Sequence, residues 1–219
     1  MSDAHSRHIA NAPVMGNTVF NEDCMTVMAR YPDKFFDLAI VDPPYGLPKD
    51  AVHGRGKLKT RAINSMDMDW DIAPTQEYWN ELWRVSKNQI VWGGNYFGLP
   101  ATRCFVVWDK EQPFENFSAA EYAWTSFSAP SKIYRLATTR TGETKIHPTQ
   151  KAVWLYEKLL KDFAVEGNLI LDTHVGSGTS RIACHKNGFE FVGCEIDAEY
   201  FAAQEARFKE FTSQLRLFG

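Results

Sequence analysis

Three observations predict an α/β fold built on a mostly parallel, doubly wound sheet. Short apolar runs alternate with amphipathic stretches along the chain. The runs are apolar at consecutive positions, as in Leu38-Ala39-Ile40-Val41, which is the pattern of strands covered on both faces. Two of them end abruptly in an acid followed by turn formers, Asp42-Pro43-Pro44-Tyr45 and Asp172-Thr173-His174-Val175-Gly176. In such a sheet, ligands bind outside the carboxyl ends of the strands.

The elements follow in order. With 219 residues, the chain has the length of one substantial domain, read as 17–219 after a loose arm at 1–16. Thr18-Val19-Phe20 reads as a short strand, Cys24 to Arg30 as a helix and Phe35 to Val41 as a buried strand. From Gly46 to Pro74 the apolar periodicity is lost, so a long loop is expected, of the kind that is functional or disordered in compact domains. Glu77 to Ser86 fits an amphipathic helix. Asn88 to Gly94, Arg103 to Asp109 and Ala120 to Phe127 read as strands, and 128–147 as a second loop. Lys151 to Phe163 is a helix with apolar residues at Val153, Trp154, Leu155, Leu159, Leu160 and Phe163. Asn168 to Asp172 is a buried strand, Ser180 to Asn187 a helix, Phe189 to Asp197 a strand and Ala198 to Leu215 a final helix.

Composition narrows the function classes. A net charge of −3 gives no global field that would draw the molecule to a polyanion, so any nucleic acid must meet a local patch. No apolar run approaches the ~20 residues that span a bilayer. The stretch from Met1 to Asn17 lacks the apolar core of a secretory signal, so a cytoplasmic location is expected. Cys24, Cys104, Cys184 and Cys194 lie far apart and form no CxxC pair. Reduced thiols and no metal site are therefore expected.

Two strand ends carry the chemistry. After Asp172, Gly176 and Gly178 let the backbone approach a ligand closely and lead into a helix. The next strand ends in Glu195-Ile196-Asp197, where an acid can bond ribose hydroxyls. Together these describe a nucleoside pocket. The loop is not GxxxxGK[ST], and Arg181 breaks the GxGxxG pattern, so neither a P-loop nor a pyrophosphate-bearing dinucleotide fits.

Asp42-Pro43-Pro44-Tyr45 suits a planar ring bearing an amine. Asp42 accepts one N–H bond and the Pro43 carbonyl a second, since proline keeps its C=O. Pro43 and Pro44 stiffen the turn, and Tyr45 offers a flat face for stacking. The exocyclic amine of adenine or cytosine is a poor nucleophile because its lone pair is delocalised into the ring. Two acceptors on its hydrogens favour a more tetrahedral nitrogen, whose lone pair attacks an electrophilic methyl in line. This is positional and electrostatic catalysis without a covalent intermediate.

These residues resemble a known family. Asp42-Pro43-Pro44-Tyr45 together with Asp172-x-x-x-Gly176-Ser177-Gly178-Thr179 resembles the amino-group DNA methyltransferases that use S-adenosylmethionine (SAM). His147-Pro148-Thr149-Gln150-Lys151, and Gly93-Gly94-Asn95-Tyr96-Phe97, are similar to segments of their beta class, whose motif order is also the one found here. The resemblance covers residues 17 to about 210. It implies a circularly permuted, Rossmann-like SAM-dependent methyltransferase fold, in which the final helix would lead into the strand at 18–20. It puts Asp23 on the SAM adenine amine beside the Cys24 backbone. Glu195 takes the ribose, Asp172 with Gly176, Ser177, Gly178 and Thr179 the methionine portion, and Thr149, Gln150 and Lys151 the carboxylate region. Asp at the first motif position leans to adenine N6, with cytosine N4 as the alternative and a catalytically silent nucleic-acid binder as another. Protein-glutamine relatives usually carry Asn-Pro-Pro-Tyr, and C5-cytosine chemistry needs a cysteine, usually after proline, for which no Pro-Cys dipeptide exists. The chain departs from the pattern at His174, where Phe is common, and at Ala152, where Pro is common.

Two segments are locally basic. Lys49, Arg55, Lys57, Lys59 and Arg61 stand against Asp50 alone in 48–61. Lys132, Arg135, Arg140, Lys145 and Lys151 stand against Glu143 alone in 130–151. Such patches on a mildly acidic protein match phosphate contacts to DNA. The loops 46–74 and 128–147 are thus expected to face DNA, with the target base flipped out of a duplex or already unpaired. The chain is short for the family, which implies a short recognition site, loose specificity or pairing with a second copy.

Overall fold

The computed structural model describes residues 16–47, 72–112, 118–137, 146 and 150–218, with side chains through 214. The described strands are β1 (Thr18–Phe20), β2 (Phe36–Val41), β3 (Ser86–Trp92), β4 (Phe105–Asp109), β5 (Ala120–Thr125), β6 (Lys132–Arg135), β7 (Leu169–Asp172) and β8 (Glu190–Cys194). The helices are α1 (Cys24–Met28), α2 (Gln76–Val85), α3 (Val153–Phe163), α4 (Thr179–Lys186) and α5 (Ala198–Phe218). One sheet holds all these strands in the order β1-β8-β7-β2-β3-β5-β4-β6. Every neighbouring pair is parallel except those made by β5, which is antiparallel to both β3 and β4.

Alternation along each central strand divides the core between the two faces of the sheet. Leu38, Ile40, Ile90, Trp92, Ile170 and Phe191 pack with Leu155 and Leu159 of α3. Ala39, Val41, Val91, Leu171, Val192 and Cys194 pack with Tyr78, Trp79 and Leu82 of α2 and with Val27 and Met28 of α1. A strand whose odd and even residues both meet helices must be apolar throughout, which explains the unbroken runs.

Strand β8 lies between β7 and β1, so α5 carries the chain away from the strand that β1 itself joins. The side chain of Asn21 ties the ends of β1 and β8 together, donating to the Glu195 carbonyl at 2.8 Å and the Ile196 carbonyl at 3.2 Å. This is the arrangement expected of a permuted sheet.

The expected elements form, with differences at their ends and one addition. Helix α2 passes into β3 with no residue between, because the Ser86 hydroxyl caps the Leu82 carbonyl at 2.5 Å while its backbone starts the strand. Residues 93–96 turn rather than extend, with Gly93 at φ +66 before a short 3-10 helix. Within the expected loop at 128–147, residues 132–135 form β6 and pair with β4. The cue was present as alternation in Lys132-Ile133-Tyr134-Arg135: Tyr134 is buried, whereas Ile133 is exposed.

Leu159 on α3 is fully buried in the core of its face. Leu159→Ala is expected to lower unfolding stability by roughly 2–5 kcal/mol, as read by denaturant titration.

Candidate active site

The sheet brings together motifs that are far apart in sequence. β2 pairs with β7 (Leu38 with Ile170, Ala39 with Leu171), so Asp42 and Asp172 leave adjacent strands at the same edge. β8 pairs with β7 on the other side and places Glu195 next in line. The glycine loop after β7, the acids after β8 and the Asp-Pro-Pro-Tyr turn are thus neighbours.

The pocket is built from backbone and acids. Gly176 and Gly178 both have positive φ, at 51° and 73°, as the loop between β7 and α4 requires. Glu195 accepts from the Gly176 N–H at 2.8 Å and the Asp197 N–H at 2.9 Å, which fixes its carboxylate across the loop. Burial holds its pKa above the usual carboxylate value against those two bonds. Asp172 accepts from the Ser180 hydroxyl at 2.5 Å and the His174 N–H at 3.0 Å. Burial pushes its carboxyl up to about 7. His174 is held down to about 4 by burial and is neutral, with Nδ1 2.9 Å from the Thr173 hydroxyl. That hydroxyl lies 2.7 Å from the Tyr78 phenol, so His174 belongs to a buried polar chain.

Asp23 is the N-cap of α1, its Oδ1 accepting from the N–H groups of Met25 at 3.0 Å and Thr26 at 3.2 Å. A carboxylate has about four lone-pair sites, so this cap does not exhaust it. Burial, then the Asp23 charge, raises the Cys24 thiol to about 11. Cys24 is therefore a protonated neighbour and not a nucleophile.

The turn after β2 is anchored at both carboxylate oxygens. The Tyr45 hydroxyl donates to Asp42 Oδ1 at 2.9 Å, and Lys151 Nζ forms a short contact with Oδ2. Tyr45 stays protonated, because burial and the Asp42 charge raise its pKa. Its ring stacks on Tyr96 at 4.9 Å between centroids and 23° between planes. Gly93 makes room for that ring: a Cβ there would lie 2.2 Å from Tyr45 Cε1. The glycine of the Gly93-to-Phe97 segment is thus a condition for the Tyr45 position.

Lys151 adds contacts that the sequence did not indicate. The Lys151 ammonium pairs with Asp42 and with Glu121, the latter at 3.3 Å. The side chain is almost wholly buried, and only a carboxylate partner makes such burial tolerable. Burial alone would lower its pKa, but the carboxylate charges of Asp42 and Glu121 raise it well above normal. Gln150 Oε1 accepts from the Ile146 N–H at 2.9 Å. Thr149 lies outside the described residues, as do Lys49, Arg55, Lys57, Lys59, Arg61 and Arg140. Arg135 ends β6 at the site edge of the sheet, 3.4 Å from Asp109. Lys132 starts that strand and meets Asp162 near the end of α3 at 3.3 Å, so it points away from the site edge.

Residues outside the motifs complete the site. Arg207 on α5 donates to the Ser177 carbonyl at 2.8 Å and the Thr179 hydroxyl at 3.0 Å, bracing the glycine loop. The Thr179 hydroxyl also lies 3.1 Å from the Lys151 carbonyl, joining the loop to the lysine. A Cβ on Gly178 would come within 3.1 Å of the Gln204 side chain, so α5 packs against the loop backbone. A basic residue near the middle of α5 gave no sequence cue to this role.

The raised Asp172 carboxyl predicts a pH effect. Between its free value of 3.8 and its folded value of about 7, the native state binds the extra proton, so this group's contribution to stability falls as pH rises. His174 works in the opposite sense from about 4 to 6.5, where the native state binds fewer protons. Comparison with Asp172→Asn isolates the first effect. In ligand-free protein, the stability of the variant relative to wild type is expected to climb from pH 4 to 7 and then level. A difference independent of pH would refute the raised value.

Comparison with known proteins agrees with this geometry. Residues 73–206 match the N6/N4 methyltransferase family model described as DNA methylase. The chain is 21% identical over 245 aligned positions to the type II methyltransferase M2.MboI of Moraxella bovis, covering 90% of this chain and 89% of that protein. The structure of the M1.HpyAVI–SAM complex superposes with a TM-score of 0.57 at 18% identity, over 87% of this chain and 98% of that one. The PvuII DNA methyltransferase, described as cytosine-N4-specific, superposes at 0.61 with 12% identity, over 93% and 94%. With its family model matched over more than half of the chain, the protein belongs to the DNA methylase family of N6/N4 methyltransferases.

Proposed function

We propose that this methyltransferase methylates the exocyclic N6 of adenine in DNA. The carrying observation is that Asp42, anchored through both oxygens, stands at the strand next to the glycine-loop pocket. The cofactor is SAM, and SAM complexes occur among the structural neighbours. The residues fit it. Asp172, Glu195 and Asp23 present acceptors to a ligand rich in N–H and O–H donors and carrying positive charge, and the positive-φ glycines leave the loop without side-chain bulk. In this reading Glu195 holds the ribose, Asp23 the adenine amine, and Asp172 with the Gly176–Thr179 loop the methionine portion. Bound there, SAM supplies an electrophilic methyl carbon.

The chain's own residues prepare the amine. Asp42 and the Pro43 carbonyl take its two hydrogens, which moves electron density back onto nitrogen. The Tyr45 hydroxyl and Lys151 fix the plane of the Asp42 carboxylate, so the acceptor is in place before substrate arrives. After transfer, the nitrogen sheds its surplus proton towards Asp42 and solvent. Tyr45 and the half-exposed Tyr96 form a two-ring platform for a base turned out of its stack. Asp at the first motif position favours adenine over cytosine, and the basic segment at 48–61, with Arg135 at the site edge of the sheet, serves phosphate.

The test is incubation with SAM and unmethylated DNA, digestion to nucleosides and mass spectrometry. N6-methyladenine is expected, with the rate in Asp42→Ala reduced by at least ~100-fold. N4-methylcytosine in its place would overturn the choice of base while leaving the acceptor mechanism intact.

A further inference from the structure

We propose that Glu121 is a positioning residue for methyl transfer, acting on Asp42 through Lys151; this rests on the reading in the preceding subsection. β5 runs antiparallel to β3, so the start of β5, and not its end, lies beside the site. Glu121 is the second residue of β5. Its Oε2 is 3.3 Å from Lys151 Nζ, and its Oε1 pairs with Lys110, just beyond the end of β4. Four side chains therefore alternate in sign: Asp42, Lys151, Glu121, Lys110.

The physical need arises from Lys151. An ammonium on a flexible stem is a point charge with three rotatable donors, and one carboxylate does not fix its direction. Lys151 has Asp42 on one side, Glu121 on another and the Trp92 ring at 5.1 Å. With two carboxylates, its charge is divided and Nζ is held at one oxygen of Asp42. The remaining lone pairs of Asp42 stay open for the substrate amine. Without Glu121, the whole ammonium charge falls on Asp42, which competes with the amine and weakens the acceptor. Lys110 keeps Glu121 in place, its own backbone N–H tied to the Ala119 carbonyl at 2.9 Å. Burial pushes the Glu121 carboxyl up, but Lys151 and Lys110 outweigh it and hold it below the usual range.

The experiment uses the full chain with SAM and methylatable DNA, reading single-turnover rate, SAM affinity by calorimetry and unfolding midpoint. Glu121→Gln is expected to lower the rate about tenfold or more, with SAM affinity within about threefold, and Glu121→Asp to recover part of the rate. Lys151→Met and the double variant Lys151→Met/Glu121→Gln are expected to be equally slow, since Glu121 acts through Lys151. In denaturant titration the same cycle is expected to be non-additive, a readout independent of turnover. Should Glu121→Gln fail to fold, Lys110→Gln is expected to show a smaller rate loss at unchanged SAM affinity. A Glu121→Gln rate within twofold of wild type, or losses that multiply in the double variant, would overturn the proposal alone. A folded wild-type protein that methylates neither base would instead overturn the functional reading, and the proposal with it.

Discussion

The contact between Lys151 and Asp42 is the constraint around which the site is organised. An ammonium taken almost wholly out of water needs a carboxylate partner, and removing one member of such a buried pair costs about 3–5 kcal/mol. The pair spans 109 positions of sequence, so it forms only when the segment before α3 has docked over the end of β2. Thr179 and Arg207 carry the same docking to the glycine loop and to α5. The geometry that orients the acceptor is thereby also a tertiary fastening between the two halves of the site. Motif and fold are stabilised together.

The strand order explains why one edge of the sheet accommodates both tasks. β7 is central, with β8 and β1 on one side and β2 and β3 on the other. The glycine loop after β7 therefore opens between the acids after β8 and the rigid turn after β2. Pro43 and Pro44 restrict the turn, Gly93 clears space for Tyr45, and Tyr45 bonds back to Asp42. Each local choice removes a freedom from the Asp42 carboxylate, which in the proposed reaction leaves little reorganisation for the arrival of an amine.

Much of this was legible in the residues. Strands buried on both faces announce themselves as unbroken apolar runs, and the acids, prolines and glycines that end them mark ligand-facing turns. β6 was missed because its alternation spans only four residues with charged ends, too short a signal until pairing with β4 reinforces it. Lys132 was grouped with Arg135 by charge, yet the strand separates them to opposite ends. Arg207 and Gln204 were invisible because nothing in the local pattern of α5 says which loop it covers.

The sequence by itself determined most of the element types, the order of the motifs, and the acids at the strand ends. Those features depend on burial pattern and turn chemistry, which are local. Only the tertiary structure decided the partners of those acids: that Lys151 pairs with Asp42, and that Glu121 stands behind it. The direction of β5 settles the second point, since an antiparallel strand brings its first residues to the edge where the parallel strands bring their last. Charge pairing in a buried site depends on distances of a few ångströms between distant segments, and no single segment encodes them.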